Sequence, residues 1–253
     1  MTETDLPAPA TFPGRLIVDK ADDPYWNMAV DEALMDECSR AGSLYPVLRF
    51  YEWSIPSVSI GYFQSASKIL ADLESGKKYF LVRRPTGGGA VVHDKDVTFS
   101  LIFPEKLLTG AVIDSYRLIN ESIVRSIAGS QAVILYDDTV ATGKQGAPKF
   151  CFNEPTRYDI IWKSLKIGGS AQRRRMGYVL HQSSFFYTKC AELFCSAGGE
   201  NDIRRLVRRS IARAVESLFG VTLREDNLTE NETACAHKLR ESRYSTEEWN
   251  FFR

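Results

Sequence analysis

From Trp26 onward, Ala29, Val30, Ala33 and Leu34 recur at the spacing of one helix face, and Asp23-Pro24 has the form of an N-cap followed by proline at the first helical position. The pattern predicts a helix from Pro24 to about Cys38, with Asp31 and Glu32 on its exposed face. The period then shortens. Val47–Trp53, Ser57–Phe63, Tyr79–Arg84, Ala90–His93 and Val97–Phe103 are short β-branched and aromatic runs separated by Pro, Gly and polar residues, and they predict a mixed or antiparallel sheet. Ile113, Tyr116, Ile119, Ile123 and Ile127 trace a second helix, followed by a strand over 132–136. Three further strands are expected at 157–162, 165–172 and 178–187, the first two joined by a hairpin turn at Lys163-Ser164. A last helix runs over Ile203–Phe219 and stops at Gly220, with arginines 204, 205, 208, 209 and 213 mostly opposite its apolar stripe. Helices and strands mix without a βαβ rhythm, so the expected class is α+β, with mixed, largely antiparallel sheets and packed helices.

The chain's 253 residues suffice for one large core, and a single domain over 14–253 is expected after a polar, proline-containing tail at 1–13 that reads as mobile. That tail has neither a basic start nor an apolar stretch, so it does not read as a targeting segment, and no apolar run approaches a membrane span. Lys+Arg and Asp+Glu balance at 32 each, which argues against nucleic acid or a membrane surface as partner. Five cysteines with no CxxC pair predict reduced thiols and a cytoplasmic location, and no metal-ligand spacing stands out.

Three segments carry candidate chemistry. Arg83-Arg84-Pro85-Thr86-Gly87-Gly88-Gly89-Ala90-Val91-Val92-His93-Asp94 breaks a strand pattern with three glycines, which allow positive φ and close main-chain approach to a polar ligand, beside two guanidinium forks. An ordinary glycine-rich turn has the same composition. In Cys151-Phe152-Asn153-Glu154-Pro155-Thr156-Arg157-Tyr158-Asp159, the cysteine follows a Gly-containing loop over 142–148 and has Lys144 and Lys149 nearby, so it is either a packed thiol or a nucleophile. In Lys166-Ile167-Gly168-Gly169-Ser170-Ala171-Gln172, glycines inside a strand mark close approach, and the lysine is either solvated or aimed at a developing negative charge. His181 alternates with apolar neighbours and is open to both a core and a site role.

Taken together with Trp26-Asn27-Met28-Ala29-Val30-Asp31-Glu32-Ala33, Leu48-Arg49-Phe50-Tyr51-Glu52-Trp53 and Ser59-Ile60-Gly61-Tyr62-Phe63-Gln64, these motifs resemble the lipoate-protein ligase and octanoyltransferase family, relatives of the biotin protein ligases. The resemblance runs from about Asp19 to the C-terminus. It implies a catalytic domain of that family's α+β fold, with an acyl tunnel beside the Gly-rich loop. Asp96-Val97-Thr98-Phe99-Ser100 and Cys151-Phe152 lie closer to the cysteine-dependent octanoyltransferases than to the ATP-dependent ligases.

Carried over residue by residue, the resemblance implies Cys151 as acyl acceptor and Lys166 at the acyl carbonyl. Arg84, Thr86, Gly87, Gly88, Gly89, Ala90, His93, Gly169, Ser170 and Ala171 are then the substrate-binding residues. It implies an acyl carrier protein as donor and a lipoyl-domain protein, the glycine cleavage H protein or a dehydrogenase E2, as acceptor, with no cofactor. A second reading, an ATP-dependent lipoate-protein ligase, would add ATP and Mg; a third is a non-catalytic binder of lipoyl domains. The chain departs from the family at Ser183-Ser184, where Gly usually precedes Ser.

Overall fold

The structure, a computed structural model, describes residues 12–73, 76–127, 133–137, 150–194 and 198–252. Strand β1 (Phe12–Asp22) opens the fold two residues inside the segment read as a tail, and helix α1 (Pro24–Ala41) follows, capped by the Asp23 carboxylate accepting from the amides of Tyr25 and Trp26. β2 (Val47–Trp53), β3 (Ser57–Ile60), the short α2 (Ala66–Ala71), β4 (Phe80–Arg83), β5 (Val91–His93) and β6 (Val97–Pro104) come next. Then follow α3 (Val112–Ile127), β7 (Val133–Leu135), β8 (Ile160–Trp162), β9 (Leu165–Arg175) and β10 (Tyr178–Phe185). α4 (Glu200–Phe219), β11 (Val221–Glu225), α5 (Glu230–Leu239), a π-helical turn (Arg240–Tyr244) and α6 (Glu247–Phe251) complete the order.

Eight strands form one sheet in the order β11-β1-β2-β6-β10-β9-β8-β7, and a second sheet has the order β4-β3-β5. The early strands predicted as one sheet therefore divide: β2 and β6 sit inside the large sheet, while β3, β4 and β5 form the small one. Pairing is parallel along β11-β1-β2 and between β3 and β4, and antiparallel elsewhere. The class expected from the sequence, α+β with mixed sheets, is the one observed.

All eight residues of β6 are buried, because both faces of the large sheet are covered. Phe99, Leu101 and Phe103 join Ile119 and Ile123 of α3 and Val207, Ile211 and Val215 of α4 in one apolar cluster. On the opposite face Ile102 and Leu180 pack against Met28, Ala29, Leu34 and Met35 of α1 and Ala236 of α5. This second layer is not purely apolar. Asp31 and Glu32, expected on the exposed face of α1, are buried with relative exposures of 0% and 2%. Asp31 lies 2.7 Å from the Arg49 guanidinium and accepts from Tyr51, Ser100 and Gln182. Glu32 accepts from Arg243 and Tyr244 at 2.7 and 2.5 Å. A helical pattern alone hides such charges, since a buried carboxylate is tolerated only through partners that arrive from distant strands.

Candidate active site

The three segments singled out in the sequence meet at one narrow cavity between the large sheet and the small one. Its floor is a register row that crosses four strands. Gly169 on β9 pairs with Ser184 on β10, Ser184 with Thr98 on β6, and Thr98 with Tyr51 on β2, and all four line the cavity. Side chains directly opposite in a sheet point to the same face, so the row rises from no side chain at Gly169 to a full ring at Tyr51. Ser59, Val91 and His93 of the small sheet, with Gly88 of the loop between β4 and β5, form the roof.

At the glycine end stands a pair of reactive groups. The Lys166 ammonium lies 3.3 Å from Cys151 Sγ and 2.6 Å from Asp159 Oδ2. Local structure explains how Lys166 reaches that point. Ile161 pairs with Lys166 but Ile160 pairs with Gly168, so Ile167 is the extra residue of a β-bulge. The bulge turns Lys166 to the same face as Gly169, which a regular strand of period two would place opposite. Ile167 itself enters the apolar cluster beneath α3 and α4. A Cβ on Gly169 would lie 2.8 Å from Lys166 Cε and 3.2 Å from Cys151 Sγ, so glycine there leaves the room that the pair occupies.

Cys151 is fixed from the other sheet. Its amide donates to the Ala90 carbonyl at 2.8 Å, next to a bridge between Ala90 and Phe150 that ties the cysteine segment to the Gly-rich loop. The same segment then turns back to deliver Asp159, whose Oδ2 also accepts from the Thr156 amide at 2.5 Å and the Thr156 hydroxyl at 2.8 Å. Burial pushes the Asp159 carboxyl above its ordinary value, opposed by the Lys166 charge and the Thr156 bonds. No local sequence pattern marks Asp159, because its partner is Lys166 on β9. The expected Gly-containing loop at 142–148, with Lys144 and Lys149, lies outside the described residues.

The Gly-rich loop is shaped by the two arginines before it. Arg84, expected to face the ligand, directs its guanidinium to the carbonyls of Ser59, Gly87 and Gly89 at 2.7–2.9 Å while lining the cavity. Burial pulls its proton affinity down and the nearby Cys151 sulfur acts the other way. Arg83 donates to the carbonyls of Gly61, Tyr62 and Gln64. With those carbonyls engaged, the amides of Gly87, Gly88 and Gly89 meet no acceptor among the described residues. Gly88 adopts φ +86°, which favours glycine, and a Cβ on Gly61 would stand 2.0 Å from the Gly88 carbonyl oxygen. Thr86 is buried and donates to Gln182 Oε1, so it braces the loop from outside the cavity lining.

The ring end is closed by a different set. His93 stacks on Trp53 with centroids 3.9 Å apart and hydrogen-bonds Ser59 Oγ through Nε2 and Asp96 Oδ2 through Nδ1. Arg84 also donates to Ser59 Oγ, so the serine is held between the guanidinium and the imidazole. Burial raises the Asp96 carboxyl, but His93, Thr98 and Ser184 together hold it below its ordinary value. Ser183 and Ser184, the departure from the family pattern, are accommodated: Ser183 Oγ donates to the Gly169 carbonyl at 3.0 Å and Ser184 bonds Asp96.

Of the remaining expected residues, Ser170 and Ala171 line the cavity, the latter 3.5 Å from where a Gly88 Cβ would stand. Ser170 Oγ is buried with no partner among the described residues. His181 is a core residue. It points towards α3, accepts from Gln172 Nε2 at 3.0 Å on Nδ1, and is pushed down to about 3 by burial. Of the arginines opposite the apolar stripe of α4, Arg204 and Arg208 pair with Glu52 and Arg205 with Asp202; on β9, Arg174 pairs with Glu105 and Arg175 with Glu32 and Asp36.

The fold and the site bring the sequence motifs together at one cavity, and comparison with known proteins gives the family. Residues 23–239 match the lipoyl protein ligase A/B catalytic domain family, and the chain belongs to that family. It is similar to octanoyltransferase LipM of Kyrpidia tusciae, 34% identical over 261 residues covering 89% of this chain and 94% of the relative. It is equally similar to octanoyltransferase LipM of Staphylococcus aureus, 34% identical over 263 residues covering 90% and 95%. Among solved structures, a lipoate-protein ligase A bound with ATP superposes with a TM-score of 0.71 at 28% identity, covering 95% of this chain and 99% of the other. A bi-partite lipoate protein ligase from Thermoplasma acidophilum gives 0.68 at 26% identity, covering 95% and 96%.

Proposed function

We propose that this protein transfers an octanoyl group from an acyl carrier thioester to a specific lysine of a lipoyl-domain protein, through a thioester on Cys151. The observation that carries the reading is the Lys166 ammonium 3.3 Å from Cys151 Sγ beside a narrow, mostly apolar cavity. An ammonium at that distance pairs with a thiolate, which is the nucleophilic form. The thiolate attacks the acyl carbonyl, the carbon–sulfur bond to the carrier breaks, and the departing carrier thiolate takes a proton from Lys166. The incoming substrate lysine then attacks the Cys151 thioester and gives a proton to the neutral Lys166 amine; breaking the second carbon–sulfur bond restores the starting pair. Lys166 and the unengaged amides of Gly87–Gly89 are the donors for the tetrahedral oxygen in both steps. Asp159 holds Lys166 in place, so it is a positioning residue. The scheme draws on no metal or nucleotide.

The site's single apolar cavity suits one acyl chain, and the acceptor class follows from the relatives, which are octanoyltransferases and lipoate ligases. The superposition on an ATP-bound ligase keeps a second reading in play, in which the Gly-rich loop and Lys166 hold an acyl-adenylate and Cys151 has no part. Two reactions separate the readings, each scored by octanoylated lipoyl domain. Octanoyl carrier protein without ATP should give product, and free octanoate with ATP should give none; the reverse pattern would establish the ligase reading.

A further inference from the structure

The floor and the far wall of the cavity together describe a length gauge. From Gly169 to Tyr51 the register row crosses three strand intervals, about 14 Å at ordinary strand spacing, which is the span of a medium-length acyl chain with its thioester head. Adjoining Trp53 lies a second, larger cleft of about 530 Å³, bordered by charged residues including Lys78, Asp94 and Arg204. Trp53 and His93 line both spaces, and no other of the described residues does. Their stacked rings are therefore the partition between an apolar channel and a polar one.

The partition is fastened on every side. Trp53 Nε1 donates to Thr98 Oγ1 at 2.9 Å, Thr98 Oγ1 donates to Asp96 Oδ2 at 2.7 Å, and the same Asp96 oxygen accepts from His93 Nδ1 at 2.9 Å. With the stack of 3.9 Å between Trp53 and His93, these contacts close a ring, so the indole cannot swing aside without losing a buried hydrogen bond. An alkyl chain that reached this wall would have to displace it and then enter a charged cleft. Each step disfavours longer chains.

We infer that the Trp53–His93 partition sets the upper limit of acyl length, making Trp53 a specificity-determining residue. This rests on the acyl-transfer reading above and names which acyl chains that site takes. Shorter chains lose contact with the wall and longer ones collide with it. Replacing the indole by a small side chain joins the two spaces and gives the alkyl end somewhere to go.

The test is the rate at which the full chain becomes acylated by hexanoyl, octanoyl, decanoyl, dodecanoyl and tetradecanoyl carrier protein, read by intact mass, for wild type, Trp53→Ala, Trp53→Leu and Trp53→Phe. Wild type should load octanoyl and fall off steeply by dodecanoyl. In Trp53→Ala and Trp53→Leu the ratio of dodecanoyl to octanoyl loading should rise by about tenfold or more, the scale on which apolar pockets discriminate by methylene content. Trp53→Phe, which keeps a ring in the stack, should stay near wild type. Wild type that loads dodecanoyl as fast as octanoyl overturns the gauge, even if the smaller variants fail to fold. So does a small-side-chain variant that loads octanoyl with an unchanged profile. Absence of any adduct on wild type would instead remove the acyl-transfer reading itself.

Discussion

The two faces of the large sheet are built on opposite principles. On the α3–α4 face, Phe99 packs against Phe50 at 6.1 Å amid Leu101, Ile119, Ile211 and Val215, so the layer owes its order to shape and water exclusion. On the α1 face, Asp31, Arg49, Tyr51, Ser100 and Gln182 form a buried hydrogen-bonded network, and the cavity runs along it towards Cys151. The first face carries stability and has little to say about chemistry. The second holds polar groups at fixed points, which a site needs and an apolar core cannot supply.

Breaking each face should therefore leave a different signature. Phe99→Ala should cost about 3–5 kcal/mol of stability through the cavity it opens, while the folded fraction acylates at close to the wild-type rate. Asp31→Ala should also cost stability, because Tyr51, Ser100 and Gln182 lose a buried acceptor and Arg49 keeps only Asp19 as carboxylate partner, and it should also slow acylation. Denaturant melts paired with single-turnover acylation distinguish the two. Equal effects on rate from both variants would contradict the division.

Within the polar face, Lys166→Ala should lower transfer by about a hundredfold or more, and it should also lower the melting temperature, because Asp159 loses its buried cation. Lys166→Arg should rescue it poorly, since a planar guanidinium does not fit between Asp159 and Cys151. Gly61→Ala, which drives a Cβ into the Gly88 carbonyl, should displace the loop by a fraction of an ångström or more and cost up to about a hundredfold in turnover. Transfer within threefold of wild type for either alanine variant would remove that element from the site. Asp159→Asn should have a smaller effect, on the order of tenfold, and should alter the pH profile of acylation as well as its rate, which a merely structural loss would not do.

The smallest effect concerns pH and belongs to the apolar face. His181 is held near 3 in the folded protein, against about 6.5 for a free imidazole, so below that value the unfolded chain binds the extra proton. Stability should fall as pH drops from about 6.5, before the buried carboxylates Glu32 and Asp96, both held below their ordinary values, begin to protonate. His181→Gln should flatten the curve between about pH 6.5 and 5. An unchanged slope in that window would mean the imidazole is charged where it stands.

The sequence made local order legible and long-range pairing much less so. The Asp23-Pro24 start of α1, the full extent of β2 and the turn at Lys163-Ser164 follow from neighbours in the chain, and both turn residues adopt positive φ. Strands β1 and β11 were missed because each is held by a parallel partner more than two hundred residues away, and their own pattern is broken by charges such as Asp19, Lys20 and Arg224. α5 could have been found: Thr229 and Glu232 form a capping box, visible as Thr-x-x-Glu. At the site, the glycines, Cys151 and Lys166 were visible as motifs. The bulge at Ile167, the Asp159 contact and the Trp53–His93 partition were not, because each depends on what another strand brings to the same place.

The central claim is that Cys151 carries the acyl group, and the direct measurement is intact-protein mass after incubation with octanoyl carrier protein. Wild type should gain one octanoyl mass that hydroxylamine removes, and Cys151→Ala should gain none and lose transfer to the lipoyl domain. A Cys151→Ala variant that transfers at the wild-type rate, or an adduct that persists on it, would contradict the account.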